Sequence, residues 1–215
     1  MKNTVFILAK RHPVHPPELF ASTVAKHFVD QYNHIHVAHV KIVTHRWSRM
    51  MVDGQPHPHS FHRDSAETRN VEVTASSKNL LEIRSSIAGL LVLKSTGSQF
   101  NGFIRDEYTT LPETLDRILS TEVDATWTWR SFADVDDVRE QSQRFDDAWG
   151  KARTITMRTF AQESSASVQA TMYKMCDQIL AADPQVEEVS YTLPNKHYFE
   201  IGESTSADRF GRTIT

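Results

Sequence analysis

The chain has 215 residues, with 24 Lys+Arg against 27 Asp+Glu, for a formal charge of −3. So even a balance excludes a dedicated nucleic-acid binder, whose basic excess would be plain. Hydrophobic residues at 39% and charged residues at 24% describe a globular chain of one large or two small domains and exclude a low-complexity disordered one.

In chain order, Val5-Phe6-Ile7-Leu8 lies in an apolar stretch, 1–10, too short for periodicity to choose between helix and strand. It is taken as helical. Pro13, Pro16 and Pro17 break the chain, and proline at a first helical position suits a helix start. Leu19, Phe20, Val24, Phe28 and Tyr32 recur at helical spacing, predicting a helix over 17–31 with Asn33 as its stop. From 34 to 47 the pattern alternates and is β-branched, with Ile35, Val37 and Val43 on one face and Ala38, Val40 and Ile42 on the other. Asp53-Gly54 marks a turn, and a second strand is expected over about 59–74.

Ser76-Ser77-Lys78-Asn79 is a further turn signal, leading into a strand over 80–93. A long polar loop follows, then a period-2 strand over 123–129. Helices are expected over 135–161, with a break near Asp146, and over 165–182. The second of these has Ser165 as its cap and Val168, Met172, Met175 and Ile179 as its buried stripe. Two short strands, 189–193 and 197–201, close the unit as a hairpin across Pro194-Asn195.

The count suggests two units of one plan. Residues 77–203 hold strand, strand, helices, strand, strand; residues 1–76 hold only helix, helix, strand, strand; 204–215 form a divergent tail. The fold class expected is α+β, antiparallel strands backed by helices. A lone two-strand ribbon is marginal, so the first unit reads as lacking its opening hairpin and the chain as cut at its amino end.

No apolar run approaches the roughly 20 residues that span a bilayer. Val5 to Ala9 is too short an apolar core for a signal peptide, so an intracellular protein, or one imported folded, is expected. The single cysteine, Cys176, leaves no intramolecular disulfide or Cys-rich zinc site and reads as a small packed residue. Among the 11 histidines, His57-Pro58-His59 and His62 cluster, but no carboxylate or thiol completes a ligand set and alternation carries His62 away from His59. No metal site is expected. His34, His36, His39 and His45 read as packing or surface groups. With 7 glycines there is neither a phosphate-cradling loop nor a G-x-S-x-G elbow.

Three polar constellations remain. One runs from Leu90 through Lys94, Gly97, Phe100, Phe103, Arg105 and Leu111 to Asp116-Arg117: a strand end followed by a long connection, where binding residues concentrate. The second is Ser164-Ser165-Ala166-Ser167-Val168-Gln169 at a helix start, where backbone N–H groups lack intrahelical acceptors. The third is Leu193 to Glu200, containing Pro194-Asn195-Lys196-His197. Singly, each has an ordinary reading: Phe100 as core, Arg117 in a surface ion pair, Gln169 facing solvent, Asn195 as a turn residue. Together they suit a planar anionic heterocycle, which needs an aromatic plate, a bidentate cation and an amide to read its edge.

These same stretches resemble the urate oxidase (uricase) family, closest to its fungal members. Asn33-His34-Ile35-His36, His45-Arg46-Trp47, His57-Pro58-His59-Ser60-Phe61, Ser167 through Met175 and Leu193 through Glu200 carry the likeness alongside Leu90–Arg117. It extends from residue 2 to about 201; the tail from Gly202 shows none.

The resemblance implies a tunnelling fold of two modules per chain and a homotetramer with the active site at subunit interfaces. It implies oxidation of urate by O₂ and water to 5-hydroxyisourate and H₂O₂ without metal or organic cofactor. Phe100 would stack on the purine, Arg117 and Gln169 would grip its edges with the Val168 backbone N–H, and Leu111 would line the pocket. Asn195 would hold O₂ or water, and His197 would belong to the proton relay. The family's remaining relay residues, a lysine and a Thr-Asp pair, would precede Lys2, so activity of this chain alone is expected to be poor. A non-catalytic decayed paralogue or oligomer component is the rival reading, and a metal-dependent tunnelling-fold enzyme acting on pterins or purines a weaker one. The family's location is peroxisomal, with the cytoplasm as the alternative because the chain ends Thr213-Ile214-Thr215 instead of Ser-Lys-Leu.

Overall fold

The computed structural model describes residues 1–76, 80–164, 167–196 and 198. The ambiguous opening stretch is helical: α1 (Lys2–Arg11) buries Leu8 and leaves Phe6 and Ile7 exposed. Helix α2 (Pro17–Gln31) starts on Pro17, whose fixed φ and missing N–H cost nothing at the first position, and buries Leu19, Phe20, Ala21, Val24, Ala25 and Val29.

The stretch read as two strands contains four. β1 (Val37–His45) and β4 (Thr68–Ser76) pair with each other, while β2 (Ser48–Val52) and β3 (Gln55–His62) form a separate ribbon turning at Asp53-Gly54. Both turn residues have positive φ. The expected single strand over 59–74 is therefore two, broken at 63–67, where Glu67 turns inward to meet Arg46 and Arg153. Within β1 alternation assigns the faces correctly, with Ala38, Val40 and Ile42 packed on the core and Val37 and Val43 exposed; Ile35, grouped by the pattern with Val37 and Val43, lies before the strand and packs on the core instead.

Next come β5 (Glu82–Lys94), β6 (Leu119–Trp129), α3 (Val135–Glu140), α4 (Ser142–Gln162), α5 (Val168–Ala182), β7 (Val186–Thr192) and β8 (Asn195–Lys196). The expected helix break near Asp146 falls instead at Gln141, between α3 and α4. Ser167 caps α5 by accepting from the Ala170 N–H, while Ser165 lies outside the described residues.

The expected closing hairpin is also corrected. Thr192 faces Asp124 and Asn195 faces Thr121 in one continuous antiparallel register, so β7 and β8 are a single edge strand on β6. Pro194, which cannot donate to a ladder, interrupts it without reversing it. The second arm, expected over 197–201, falls almost wholly outside the described residues.

The main sheet has the order β1-β4-β5-β6-β7, all neighbours antiparallel. Helix α2 covers β1 and β4, α4 packs on β5, and α5 packs on β7. The boundary expected at 76/77 falls between β4 and β5, which pair directly, so the two halves share one sheet and one hydrophobic core. That core centres on Trp127, Trp129, Phe132, Phe145, Ile83 and Ile87.

A bulge in β5 steers the functional end of the sheet. Before it, Ile83, Ser85 and Ile87 point inward; after it, Leu90, Val92 and Lys94 do. Gly89 makes the step at φ +68, its N–H bonded to Asp124 Oδ1 at 2.8 Å. A Cβ there would sit 3.1 Å from the Ala66 carbonyl oxygen. The inward-turned Lys94 reaches the carbonyl of Glu163 at the end of α4, and its ammonium lies 5.8 Å from the Phe160 ring.

Candidate functional site

The loop between β5 and β6 is built as a narrow double strand. Asp116 closes its base, accepting from Thr96 Oγ1 at 2.5 Å and the Gly97 N–H at 2.8 Å. These two donors, Thr96 foremost, hold the Asp116 carboxyl below its ordinary 3.8. One step on, the Arg117 N–H donates to the Ser98 carbonyl at 2.9 Å, and Phe100 exchanges both backbone bonds with Thr114 at 2.8 and 2.9 Å. Gly102 N–H meets Glu113 Oε1 at 3.0 Å, and Arg105 donates to the Leu111 carbonyl at 3.0 Å.

These ties bring Phe100 and Arg117 together, with the guanidinium carbon 5.3 Å from the ring centroid. Arg117 is half-buried and its Nε fully so, yet among the described residues its guanidinium has no hydrogen-bond or ion-pair partner. The carboxylate nearest in sequence, Asp116, is already committed to the turn. A buried donor left unsatisfied costs about 1–3 kcal/mol, more when charged. The arrangement therefore holds a cation and an aromatic face ready for an incoming planar anion. Arg117 was open to reading as a surface ion pair; the structure gives it none.

The other constellations arrive at the same end of the sheet. Lys94, the last residue of β5, pairs with Leu119, the first of β6. Lys94 and Lys174 both hold Glu163, the latter at 2.5 Å. Val168 then packs on the cluster of Leu119, Phe160 and Met175, which puts the first turn of α5 beside the root of β6. Gln169 follows, exposed. Asn195 sits opposite Thr121, whose Oγ1 donates to the Pro194 carbonyl at 2.9 Å. Leu111 stands out at the loop's far end, 53% exposed. Phe100 and Arg117 touch; Val168, Gln169 and Asn195 lie toward the same sheet end, and Leu111 lies further out. His197 lies outside the described residues.

Residue chemistry alone does not reveal the supports. Glu163 lies outside every motif stretch, and Lys174 and Ser98, though inside two of them, show no role by residue type, because what they do depends on the Gly89 bulge and on helix packing far away in sequence. Asp116 could be suspected from its place before Arg117.

Elsewhere, His57 and His59 meet edge to face at 4.6 Å, and among the described residues no group of three His, Cys, Asp or Glu is placed to hold a metal ion. Cys176 is half-buried beside the Val189 carbonyl, and burial raises its thiol pKa, as a packed cysteine requires. Burial likewise pushes the Tyr191 hydroxyl up to about 12, with Thr156 at 2.5 Å. Among the described residues no helix is long and apolar enough to cross a membrane.

The family described as Uricase matches residues 1–74 and 83–212, past the point near 201 where the sequence motifs end. Over 201 residues the chain is 63% identical to a uricase of Emericella nidulans and 61% identical to one of Aspergillus flavus, in each case over 94% of this chain and 67% of the relative. The crystal structure of uricase from Arthrobacter globiformis superposes with a TM-score of 0.81 at 33% identity, covering 96% of this chain and 67% of that one.

Proposed function

The chain belongs to the uricase family of urate-oxidising oxidoreductases, with its α+β tunnelling fold, and from that premise we propose how its residues handle urate. Urate lies as an anion against Phe100. Arg117 supplies paired N–H donors to one edge, and the Gln169 amide meets the opposite edge. The backbone N–H of Val168, in the first turn of α5 where no intrahelical acceptor exists, adds a third donor. Leu111 lines the rim. Asn195 holds O₂ or the attacking water over the ring, and His197 joins the proton relay.

Oriented cationic and N–H donors stabilise the urate dianion without reorganising as charge moves, the electrostatic help this reaction needs. Two electrons leave the purine for O₂, which takes two protons to become H₂O₂; water adds its oxygen to C5, giving 5-hydroxyisourate. Urate itself is the reductant, so the reading calls for no metal or organic cofactor. The two-module division at 76/77 and closure of the site by a second copy in a homotetramer belong to the same reading. The exposure of Gln169, Asn195 and Leu111 in the single chain supports that closure. Peroxisomal residence follows only from the family.

The carrying observation is that the Arg117 guanidinium, beside Phe100, has no hydrogen-bond or ion-pair partner among the described residues. The test is urate-dependent O₂ uptake and H₂O₂ release by the chain as it stands and by the chain extended with the amino-terminal segment of a relative. Weak turnover in the first, a large gain in the second, and loss of that gain with Arg117→Gln are expected. Turnover in the extended chain that survives Arg117→Gln would overturn the assignment.

A further inference from the structure

The loop holds one arrangement that the reading above leaves unused. Phe103 lies nearly parallel to Phe100, ring centroids 4.7 Å apart at 19°. The Arg105 guanidinium sits 5.3 Å from the Phe103 ring while bonded to the Leu111 carbonyl. Arg105, Phe103, Phe100 and Arg117 thus form a continuous run of cation–ring and ring–ring contacts.

We propose that Phe103, steadied by Arg105, is a positioning residue for the Phe100 plate: it fills one face of that ring and so sets the angle at which Arg117, 5.3 Å from the ring centroid, meets a planar ligand's edge. This rests on the reading of Phe100 and Arg117 as the ligand grip and deepens it.

The main chain of Phe100 is already pinned by its two bonds to Thr114, so the freedom that remains is that of the side-chain torsions. A near-parallel partner in the offset stacking range restricts those torsions from one side. Arg105 carries the restriction across the loop, because its guanidinium touches Phe103 on one limb and the Leu111 carbonyl on the other. Small displacements of a positioning group are costly where a ligand must be held in one geometry.

The test uses the full chain with Phe103→Leu, Phe103→Tyr and Arg105→Gln. Xanthine, a planar oxopurine, is titrated by ultraviolet difference spectroscopy. The Arg117 Nε–H resonance, assigned by its loss in Arg117→Lys, is read without ligand. Phe103→Leu is expected to move that resonance and to weaken xanthine binding by up to about tenfold, the worth of an aromatic stack. Phe103→Tyr restores both, and the surface change Arg105→Gln gives a smaller shift of the same sign. An unmoved Arg117 resonance in Phe103→Leu overturns the proposal. If that variant does not fold, an unmoved resonance in Arg105→Gln does so. A resonance that responds to Phe103 in a wild-type chain with no xanthine affinity supports the stack and counts against the ligand reading instead.

Discussion

Arg69 and Arg117 are both guanidiniums drawn largely out of water, and they end in opposite circumstances. Arg69 meets Glu18 at 2.8 Å and Asp146 at 2.6 Å; Glu18, wholly buried, also accepts from Ser85 at 2.7 Å, and Ser85 accepts from the Trp129 indole at 3.0 Å. That network joins α2, β4, β5, β6 and α4. Arg117 has an aromatic ring at 5.3 Å and no anion among the described residues. Where a charge serves the fold, the chain supplies its counter-ions from several elements; where no counter-ion stands among the described residues and the adjacent carboxylate is tied elsewhere, the charge is the one proposed to take a ligand.

The largest expected effect tests the first half of that contrast. Glu18→Ala leaves Arg69 short of a buried partner and should cost about 3–5 kcal/mol in urea unfolding. Arg117→Gln removes a charge with no ion-pair partner among the described residues and should cost no stability, raising it by up to about 1–3 kcal/mol as the unsatisfied donor is relieved. Equal losses in the two variants would erase the distinction. Ligand binding should invert the order of importance: Arg117→Gln is expected to weaken xanthine by about tenfold to a hundredfold, the worth of one or two charge-assisted hydrogen bonds, measured by equilibrium titration.

The two regions also differ in how far they could be read from sequence. Helices α2 and α5 and the alternation of β1 were legible, because periodicity is a local property; residue type singles out Phe100, Arg117 and Gln169 as candidates only. The β2–β3 ribbon was missed apart from its Asp-Gly turn, since His57-Pro58-His59 does not look like a strand and its pairing with Ser48–Val52 is non-local. Asn195 was taken for a hairpin corner because Pro-Asn is a turn signal; only the shared register with β6 shows the chain running straight on. That Arg117 has no partner among the described residues could not be read at all. It depends on Asp116 being captured by Thr96 and Gly97, a fact of three-dimensional accounting.

A smaller effect sharpens the link between fold and site. Gly89→Ala imposes the left-handed conformation on a residue with a Cβ, worth about 1–2 kcal/mol, and brings that Cβ to 3.1 Å from a backbone oxygen that cannot swing aside as a side chain would. The loss should appear in urea unfolding. If the bulge slips to relieve it, the alternation of β5 beyond it reverses and Lys94 turns away from Glu163. The hold on Glu163 then loosens, and xanthine affinity falls together with stability. A variant that loses stability but keeps wild-type affinity would uncouple the bulge from the site.

The smallest effect lies in acid, where both regions depend on carboxylates held below their ordinary range. Thr96 and then Gly97 lower Asp116; for Asp146, burial acts upward but is outweighed by the hydrogen bond and charge of Arg69 and by His15 at 2.7 Å. A depressed carboxyl contributes stability that is fully present above its unfolded value, here 3.8, and is lost as pH falls through the lower folded value. From neutrality down to about pH 5, neither region should respond through these groups, so the Gly97 amide resonance should stay in place. Below that it should move as Asp116 takes up its proton and releases the turn beneath Arg117, and Asp116→Asn should remove the titration while leaving the Arg69 network untouched. A Gly97 resonance that titrates nearer neutrality would mean that Asp116 is not held by Thr96 and Gly97 as the geometry has it.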